Sequence, residues 1–382
     1  RSHVTKVFFP IGANEAAGAN ATRPPWRYLA MLASVLLLML TGTVAVLLAS
    51  TPTAIVKKGD AFATFGKHAS WVTIAVVALL FVLNRDYRTW RRWAPALVAS
   101  ATFSLLLVQF VGRTSGGSKR WLDFGLFNVQ PSELAKFALV IGVASFLDQR
   151  RYFLDRLDRV TVPISIWVAI VCGLIYIQRD LSTALIIGII ALGMMWAAGV
   201  PVKHLAPLIG VGVLLGSFLI LSESYRRARV VAFFNPSDDI EGSSWQVTQG
   251  LLSLARGGLK GTGLGGGHAE WGWVPAADTD FVFAVVGEQL GFMGALPVVI
   301  LLGTFILAGF RTAQGAPDVF GSLLAAGISI WFLVQMTVNL LGVLGSLPIT
   351  GVTLPFISYG GTSLILNAIA AGLLLNIARQ ST

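Results

Sequence analysis

The chain has 382 residues, of which 55% are hydrophobic and 12% are charged, whereas soluble domains carry about 25% charged residues. This composition excludes an ordinary soluble protein and predicts an all-α, polytopic membrane protein. The net charge of +10 would suggest nucleic acid as the partner of a soluble protein, but here the basic residues lie in short loops between apolar segments, which favours membrane lipids with anionic headgroups and no nucleic acid.

Apolar runs of about 17–25 residues predict ten transmembrane helices. Residues 1–22 are polar and rich in Ala, Gly and Asn, and we expect them to form a disordered cytoplasmic N-terminus. Residues 23–382 form the predicted membrane domain. Its predicted helices cover 28–50, 69–84, 94–111, 133–147, 160–178, 181–199, 205–222, 281–308, 320–343 and 361–378.

The distribution of Lys and Arg predicts the orientation. If the N-terminus is inside, the inner segments carry roughly twice as many Lys and Arg residues as the short outer loops. This bias predicts that both termini are cytoplasmic. Three informative loops, 112–132, 223–280 and 344–360, then face outward.

The first of these loops ends in a charged helix start. Arg120 and Trp121 place a cation beside an aromatic residue, and Pro131 opens a helix that carries Glu133 and Lys136. These two residues are three positions apart, so they share a helix face and can pair. Two interpretations stay open: an internal structural ion pair, or the wall of a polar cavity that receives a headgroup or positions a base.

The second loop is about 58 residues long, and loops of this length inside a compact domain are usually functional. Seven glycines between positions 257 and 267 allow the backbone to fold around a phosphate or to act as a hinge. No P-loop pattern is present. Arg226, Arg227 and Arg229 follow the seventh predicted span, where they could bind a diphosphate headgroup or lie at the lipid interface.

Asp280 lies at the entrance of the apolar segment that begins at Phe281. It can act as a helix N-cap, and it can act as a general base at the membrane surface; the two roles are compatible. Asp278 would raise the proton affinity of Asp280 if the two carboxylates lie close together, because like charges disfavour joint ionisation.

The third loop has no charged residue and contains several Pro and Gly residues. These features predict an irregular, re-entrant segment that lines a cavity, although an ordinary tight loop is the alternative. The candidate lining residues are Ser358, Tyr359, Thr362 and Ser363.

Several stretches between about Gly112 and Arg379 resemble the SEDS family (shape, elongation, division, sporulation), which comprises FtsW, RodA and SpoVE, with FtsW nearer than RodA. They include SGGSKRWLDFGLFNVQPSELAK, YRRARVVAFFNPSDD, PAADTDFVFAVVGEQLG and LPITGVTLPFISYGGTSL. The resemblance implies a glycosyltransferase that polymerises lipid II into peptidoglycan strands on the outer face of the bacterial cytoplasmic membrane, for cell division or elongation. It also implies a class B penicillin-binding protein as the transpeptidase partner.

The resemblance also assigns residues. The family's essential aspartate corresponds to Asp280, its Q-P-S-E-x-x-K glutamate and lysine to Glu133 and Lys136, and its R-W pair to Arg120 and Trp121.

On this hypothesis Asp280 takes the proton from the sugar 4-hydroxyl of lipid II, and undecaprenyl diphosphate leaves the growing glycan. Cations must then face the diphosphate. A divalent cation, Mg or Mn, would be bound partly by the diphosphate and water, since the sequence offers no closed metal site. The alternatives are a lipid II flippase and an inactive scaffold for a penicillin-binding protein.

Overall fold

The computed structural model describes residues 25–115, 118–125, 127–234 and 244–381, so the N-terminal segment predicted to be disordered lies outside the described residues. Helices make up most of the described chain. They are α1 (Trp26–Lys58), α2 (Ala63–Leu83), α3 (Arg88–Val111), α4 (Pro131–Gln149), α5 (Val162–Ile177), α6 (Leu181–Ala197), α7 (Val202–Leu221), α8 (Ser224–Phe234), α9 (Trp245–Gly257), α10 (Val282–Gln314), α11 (Val319–Val343) and α12 (Gly361–Gln380).

Eight helices of the described chain are long and apolar enough to cross a membrane: α1, α2, α3, α5 together with the π-helical turn Leu157–Thr161, α7, α10, α11 and α12. The all-α, polytopic class is therefore confirmed. The ten-span count stays a prediction, because α6 is apolar but has 17 residues and α4 carries Glu133, Lys136 and Asp148 among its 19 residues.

The centre of the bundle is formed by α4, α11 and α12, whose residues are mostly buried. Around them α2 packs on α12, α3 on α4, and α10 on both α1 and α11. A helix enclosed by other helices can carry polar side chains because its neighbours supply their hydrogen-bond partners. This position explains how α4 accommodates three charged residues.

One end of the bundle, which we call the site end, gathers the links between α3 and α4, α5 and α6, α7 and α10, and α11 and α12. The first link forms three short antiparallel strands, β1 (Arg113–Ser115), β2 (Ser118–Asp123) and β3 (Asn128–Val129), with β2 in the middle. The third link, predicted as a long loop, contains α8, α9 and a 3-10 turn at Ala269–Trp271.

The opposite end is held by polar contacts between helix ends. Asp318 caps α11 by accepting from the Gly321 N–H, and it also accepts hydrogen bonds from the Tyr87 hydroxyl and Arg88 Nε. Arg91 pairs with Asp148 at 2.8 Å. These contacts tie the α2–α3 link to the start of α11 and the end of α4.

Candidate active site

Asp280 lies directly before α10, at the site end. The N-cap position of α10 falls on Phe281 and has no side-chain cap, so the predicted capping role of Asp280 is wrong. Its half-buried side chain instead faces a recess between the start of α10, the end of α11 and residues 349–352. Gly351, with φ +73°, lies against it, since a Cβ there would be 3.6 Å from Asp280 Oδ2.

Burial raises the pKa of the Asp280 carboxyl from 3.8 to about 6. Arg229 and, to a smaller extent, Arg120 lower this pKa, whereas Asp278 and Asp180 raise it further. The predicted effect of Asp278 on Asp280 therefore has the expected sign. A carboxyl with a pKa near 6 is ionised at neutral pH and still basic enough to accept a proton in a reaction.

The side chains of the three arginines of α8 have different surroundings. Arg229 donates from Nη1 to the carbonyl oxygen of Ile349 at 3.0 Å, which brings it to the wall of the recess. Arg226 donates to the Leu219 carbonyl and packs over the ring of Tyr176. Arg227 is exposed. The structure thus brings only Arg229 of this group to Asp280.

Arg120, on β2, reaches across to the link between α5 and α6. It donates to the carbonyl oxygens of Gln178 at 3.2 Å and Arg179 at 2.6 Å, and it lies 4.0 Å from the Asp180 carboxylate. Asp180 in turn caps α6 by accepting from the Thr183 N–H. Trp121 is half-buried and follows Arg120 on the strand, so the two side chains point to opposite faces.

Glu133 and Lys136 form the predicted pair, with 2.8 Å between Glu133 Oε1 and Lys136 Nζ. Both side chains are buried in α4, and Glu133 Oε2 has no hydrogen-bond partner among the described residues. Lys136 also donates to Gln335 Oε1 on α11 at 3.3 Å, and Gln335 Nε2 donates to the Thr353 carbonyl at 2.9 Å. The pair is therefore connected to the loop that lines the recess.

The link 344–360 is irregular, as the sequence predicts. Its residues 349–352 line the recess, whereas the predicted lining residues lie outside the lining of this recess and contact neighbouring residues: Ser358, Tyr359, Thr362 and Ser363. The Tyr359 N–H donates to the Asp278 carbonyl at 2.8 Å. Thr362 Oγ1 donates to the Asn128 carbonyl, and Ser363 Oγ lies 3.2 Å from Thr353 Oγ1. Ser358 Oγ accepts from the Leu354 N–H, which closes a turn inside the link.

The glycine-rich stretch packs against the protein itself. A Cβ on Gly257 would lie 2.0 Å from the Gly287 carbonyl oxygen, and one on Gly261 would lie 2.1 Å from the Gln289 carbonyl oxygen. The buried Glu288 carboxylate of α10 accepts hydrogen bonds from the backbone N–H groups of His268 and Ala269. The glycines therefore permit close contact with α10, and the N–H groups of 268 and 269 already bind a carboxylate of the protein.

Sequence reasoning missed three buried polar residues of the site. Asp180 lies at the start of α6, and Gln335 and Asn339 lie one turn apart on α11. Asn339 Nδ2 donates to the carbonyl oxygens of Asp280 and Val352. A signal was available, because polar side chains spaced by four on an otherwise apolar helix mark a face that needs polar partners.

Comparison with known proteins places this geometry in a family. Residues 28–382 match the profile of the FtsW, RodA and SpoVE cell cycle proteins. The chain belongs to this family. The resemblance inferred from the sequence motifs is therefore confirmed.

Relatives of the family match nearly the whole chain. Stage V sporulation protein E of Bacillus subtilis is 37% identical over 91% of this chain and 95% of its own length. A probable peptidoglycan glycosyltransferase FtsW of Geobacter metallireducens is 36% identical over 89% of this chain and 91% of its own length.

Solved structures share the fold. A chain from a peptidoglycan synthase complex, solved to describe the structural coordination of polymerization and crosslinking, superposes with a TM-score of 0.76 at 25% identity and covers 94% of this chain and 99% of its own. The rod shape determining protein RodA of Thermus thermophilus superposes with a TM-score of 0.69 at 25% identity, over 95% of this chain and 99% of its own.

A resident metal site is not built from the described residues, because no three His, Cys, Asp or Glu side chains among them lie close enough to hold an ion. Asp180 is engaged by Arg120 and by the start of α6. The donor set at Asp280 therefore does not form a closed cation site.

Proposed function

We propose that this chain is a peptidoglycan glycosyltransferase that polymerises lipid II, with Asp280 as the general base. The observation that carries the proposal is the half-buried Asp280 carboxyl, with a pKa raised to about 6, in a recess at the site end of the bundle. Its family relatives include proteins named as probable peptidoglycan glycosyltransferases.

In the proposed reaction the sugar 4-hydroxyl of the acceptor lipid II gives its proton to Asp280. The hydroxyl oxygen forms a bond with the anomeric carbon of the growing glycan, and the bond from that carbon to undecaprenyl diphosphate breaks. A base near its own pKa accepts this proton efficiently at neutral pH. Asn339 of α11 holds the backbone carbonyl of Asp280, which restrains the position in which the carboxylate meets the attacking oxygen.

The leaving diphosphate carries concentrated negative charge and needs cations close to the base. Arg229 and Arg120 both act on the charge of Asp280, and they are the cations we assign to this role. Lys136 is paired with Glu133 and buried, so we assign it to positioning the 353–363 segment through Gln335. Arg226 and Arg227 are assigned to the lipid interface.

A divalent cation, if the reaction needs one, would enter with the diphosphate, because the described residues hold no closed site for it. We derive no step of the reaction from it. We propose Mg or Mn as the candidate ions, since both prefer oxygen ligands and phosphate groups.

The cellular setting follows from the same proposal. Both termini are assigned to the cytoplasm and the site end to the outer face of the bacterial inner membrane, since the basic residues concentrate in the inner segments. The partner is assigned as a class B penicillin-binding protein. A structurally similar chain belongs to a synthase complex in which polymerization and crosslinking are coordinated, and this supports the assignment.

The test compares purified wild-type protein with Asp280→Asn on labelled lipid II in detergent. A general base contributes about 10²–10⁴-fold to a rate, so Asp280→Asn should lower the rate of polymer formation by at least about 100-fold. The matched control is Asp123→Asn at the same end, whose carboxylate is paired with Arg113 on an exposed strand. It should polymerise like the wild type.

Thermal unfolding and co-purification with the partner must show that Asp280→Asn is folded. Near-normal polymerisation by Asp280→Asn would overturn the assignment of the base. A wild-type protein that forms no polymer in detergent, with or without the partner, would favour the flippase or the scaffold instead.

A further inference from the structure

Asn339 connects α11 to the two segments that form the recess. Its Nδ2 donates to the carbonyl oxygen of Asp280 at 3.0 Å and to that of Val352 at 2.6 Å. Both partners are acceptors, so the nitrogen must face them and the carboxamide oxygen must face away. The chemistry thus fixes the orientation of this side chain.

The carboxamide oxygen has a different environment. Asn339 is only 4% exposed, yet its Oδ1 has no hydrogen-bond partner among the described residues. Asn339 lines the same recess as Asp280. A buried acceptor without a partner is costly, and because Asn339 lines the recess that Asp280 faces, this acceptor points to a donor that arrives with the substrate.

We propose that Asn339 has two roles in the reaction. It positions the base Asp280, and it accepts a hydrogen bond from the 3-hydroxyl of the acceptor sugar. The inference rests on the proposed function, because it concerns the same acceptor. It adds a residue that recognises the sugar and distinguishes two of its hydroxyl groups.

We assign the two neighbouring hydroxyls of the sugar to two acceptors of the recess, Asp280 and Asn339. Each hydroxyl carries one hydrogen to donate. The 4-hydroxyl gives its proton to Asp280, and the 3-hydroxyl donates to Asn339 Oδ1 and keeps its proton. The recess admits hydroxyl-sized groups rather than a whole ring, so the sugar would present this edge while its ring stays at the mouth.

The positioning role predicts a shift in pH dependence. The charged groups that face Asp280 are Arg229 on α8, Asp278 in the same segment, Asp180 before α6 and Arg120 on β2. Loss of Asn339 Nδ2 frees the Asp280 backbone and lets its carboxylate reach water. Because burial is the main cause of the raised pKa, the pKa of Asp280 should then fall.

The experiment measures polymerisation by wild type, Asn339→Ala and Asn376→Ala between about pH 5 and pH 8. Asn376 is the matched control: it is fully buried and also joins two segments, accepting from the Tyr87 N–H and donating to the Leu83 carbonyl at the opposite end. Asn339→Ala should polymerise at least about tenfold more slowly, with its half-maximal rate at a lower pH. Asn376→Ala should lower the melting temperature and keep the wild-type pH dependence.

Acceptor analogues test the recognition role on the unaltered protein. The wild-type protein should use a 3-deoxy acceptor about tenfold more slowly than a 6-deoxy acceptor. The Asn339→Ala variant should use the two analogues at equal rates. Equal rates of the two analogues with wild type, or an unchanged pH dependence in folded Asn339→Ala, would overturn the inference. Normal polymerisation by Asp280→Asn would instead overturn the proposed function.

Discussion

Asp280 has neighbours that act on its pKa in opposite directions. Burial and the Asp278 carboxylate favour the protonated form, and Arg229 favours the ionised form. The pKa of about 6 is therefore a balance between a dry site and a nearby cation. If Asp280 is the base, the polymerisation rate should rise with pH through this value, because only the ionised carboxylate accepts a proton.

Substitution of the two neighbours should move this pH dependence in opposite directions. Asp278→Asn removes a negative charge, so the pKa of Asp280 should fall and the half-maximal rate should occur at a lower pH. Arg229→Gln removes a positive charge, so the half-maximal rate should occur at a higher pH. The measurement is the pH profile of polymer formation, scaled to the maximum rate of each variant.

The scaling matters because Arg229 is also assigned to the diphosphate, and its loss should lower the maximum rate. Identical half-maximal pH values for wild type and both variants would mean that another group titrates in the profile. Shifts of the same sign would contradict the electrostatic arrangement around Asp280.

Glu133 and Lys136 should stabilise the folded protein only when both residues are present. Loss of one partner of a buried pair leaves an uncompensated charge and costs about 3–5 kcal/mol. Lys136→Met alone should therefore destabilise the protein strongly, and the double variant Glu133→Gln with Lys136→Met should recover much of the loss. Thermal unfolding in detergent of the two single variants and the double variant measures this coupling. Additive losses would show that the two residues act independently.

At the scale of elements, the segment between α9 and α10 is held close to α10 by glycines. Gly257 and Gly261 approach backbone carbonyls of α10 at distances that exclude a Cβ. Gly291 departs from helical geometry, with φ +65° and ψ −167°, and lies against Gly261. The segment leads directly to Asp280, so its attachment to α10 should influence the position of the base.

Gly257→Ala should therefore reduce polymerisation and make the 258–271 segment accessible to protease, since its Cβ would lie 2.0 Å from the Gly287 carbonyl oxygen. Gly303→Ala in α10 is the matched control, because nothing lies within 4 Å of a Cβ there. Alanine is favoured over glycine inside a helix by about 1 kcal/mol, so this variant should be at least as stable as wild type. Equal activity and protease resistance of the two variants would contradict the close-contact role of Gly257.

The sequence predicts the long helices well because membrane length and apolar composition constrain them strongly. The link 344–360 begins after α11 and ends before α12 as expected, and α6 starts at the predicted residue 181. The helices α8 and α9 lie in a segment that the sequence predicts as a loop, because helices of 11 and 13 residues are too short to give the apolar signal of a membrane span.

The site was harder to predict because its contacts join residues far apart in the chain. The motifs indicated Asp280 and the Glu133–Lys136 pair. The sequence does not indicate which of the three arginines of α8 lies near Asp280. That it is Arg229 depends on how α8 packs against the 344–360 link. Likewise, the glycines near 260 suggested a phosphate cradle or a hinge, and only the packing against α10 revealed close backbone contact.

At the scale of the whole molecule, the two ends of the bundle have different chemistry. The opposite end joins Tyr87, Arg88 and Asp318 through direct side-chain contacts. The site end brings together the four links that surround Asp280. If the basic residues set the orientation, the opposite end faces the cytoplasm.

Two cysteine substitutions should test this orientation. In a Cys172→Ser background, Lys260→Cys at the site end and Thr89→Cys at the opposite end both occupy exposed positions. A membrane-impermeant maleimide added to intact cells should label Lys260→Cys and leave Thr89→Cys unlabelled until the membrane is opened. The reverse pattern would contradict the proposed topology and the outward-facing site.

The spacing of Gln335 and Asn339 on α11 has a consequence for how the helix can change. The two residues are about 6 Å apart along the axis, and they hold Thr353 and Val352, which are consecutive in the chain. One residue inserted between them would rotate Asn339 by about 100° and detach it from Asp280. We expect this turn of α11 to keep its length during evolution, while its lipid-facing residues vary freely.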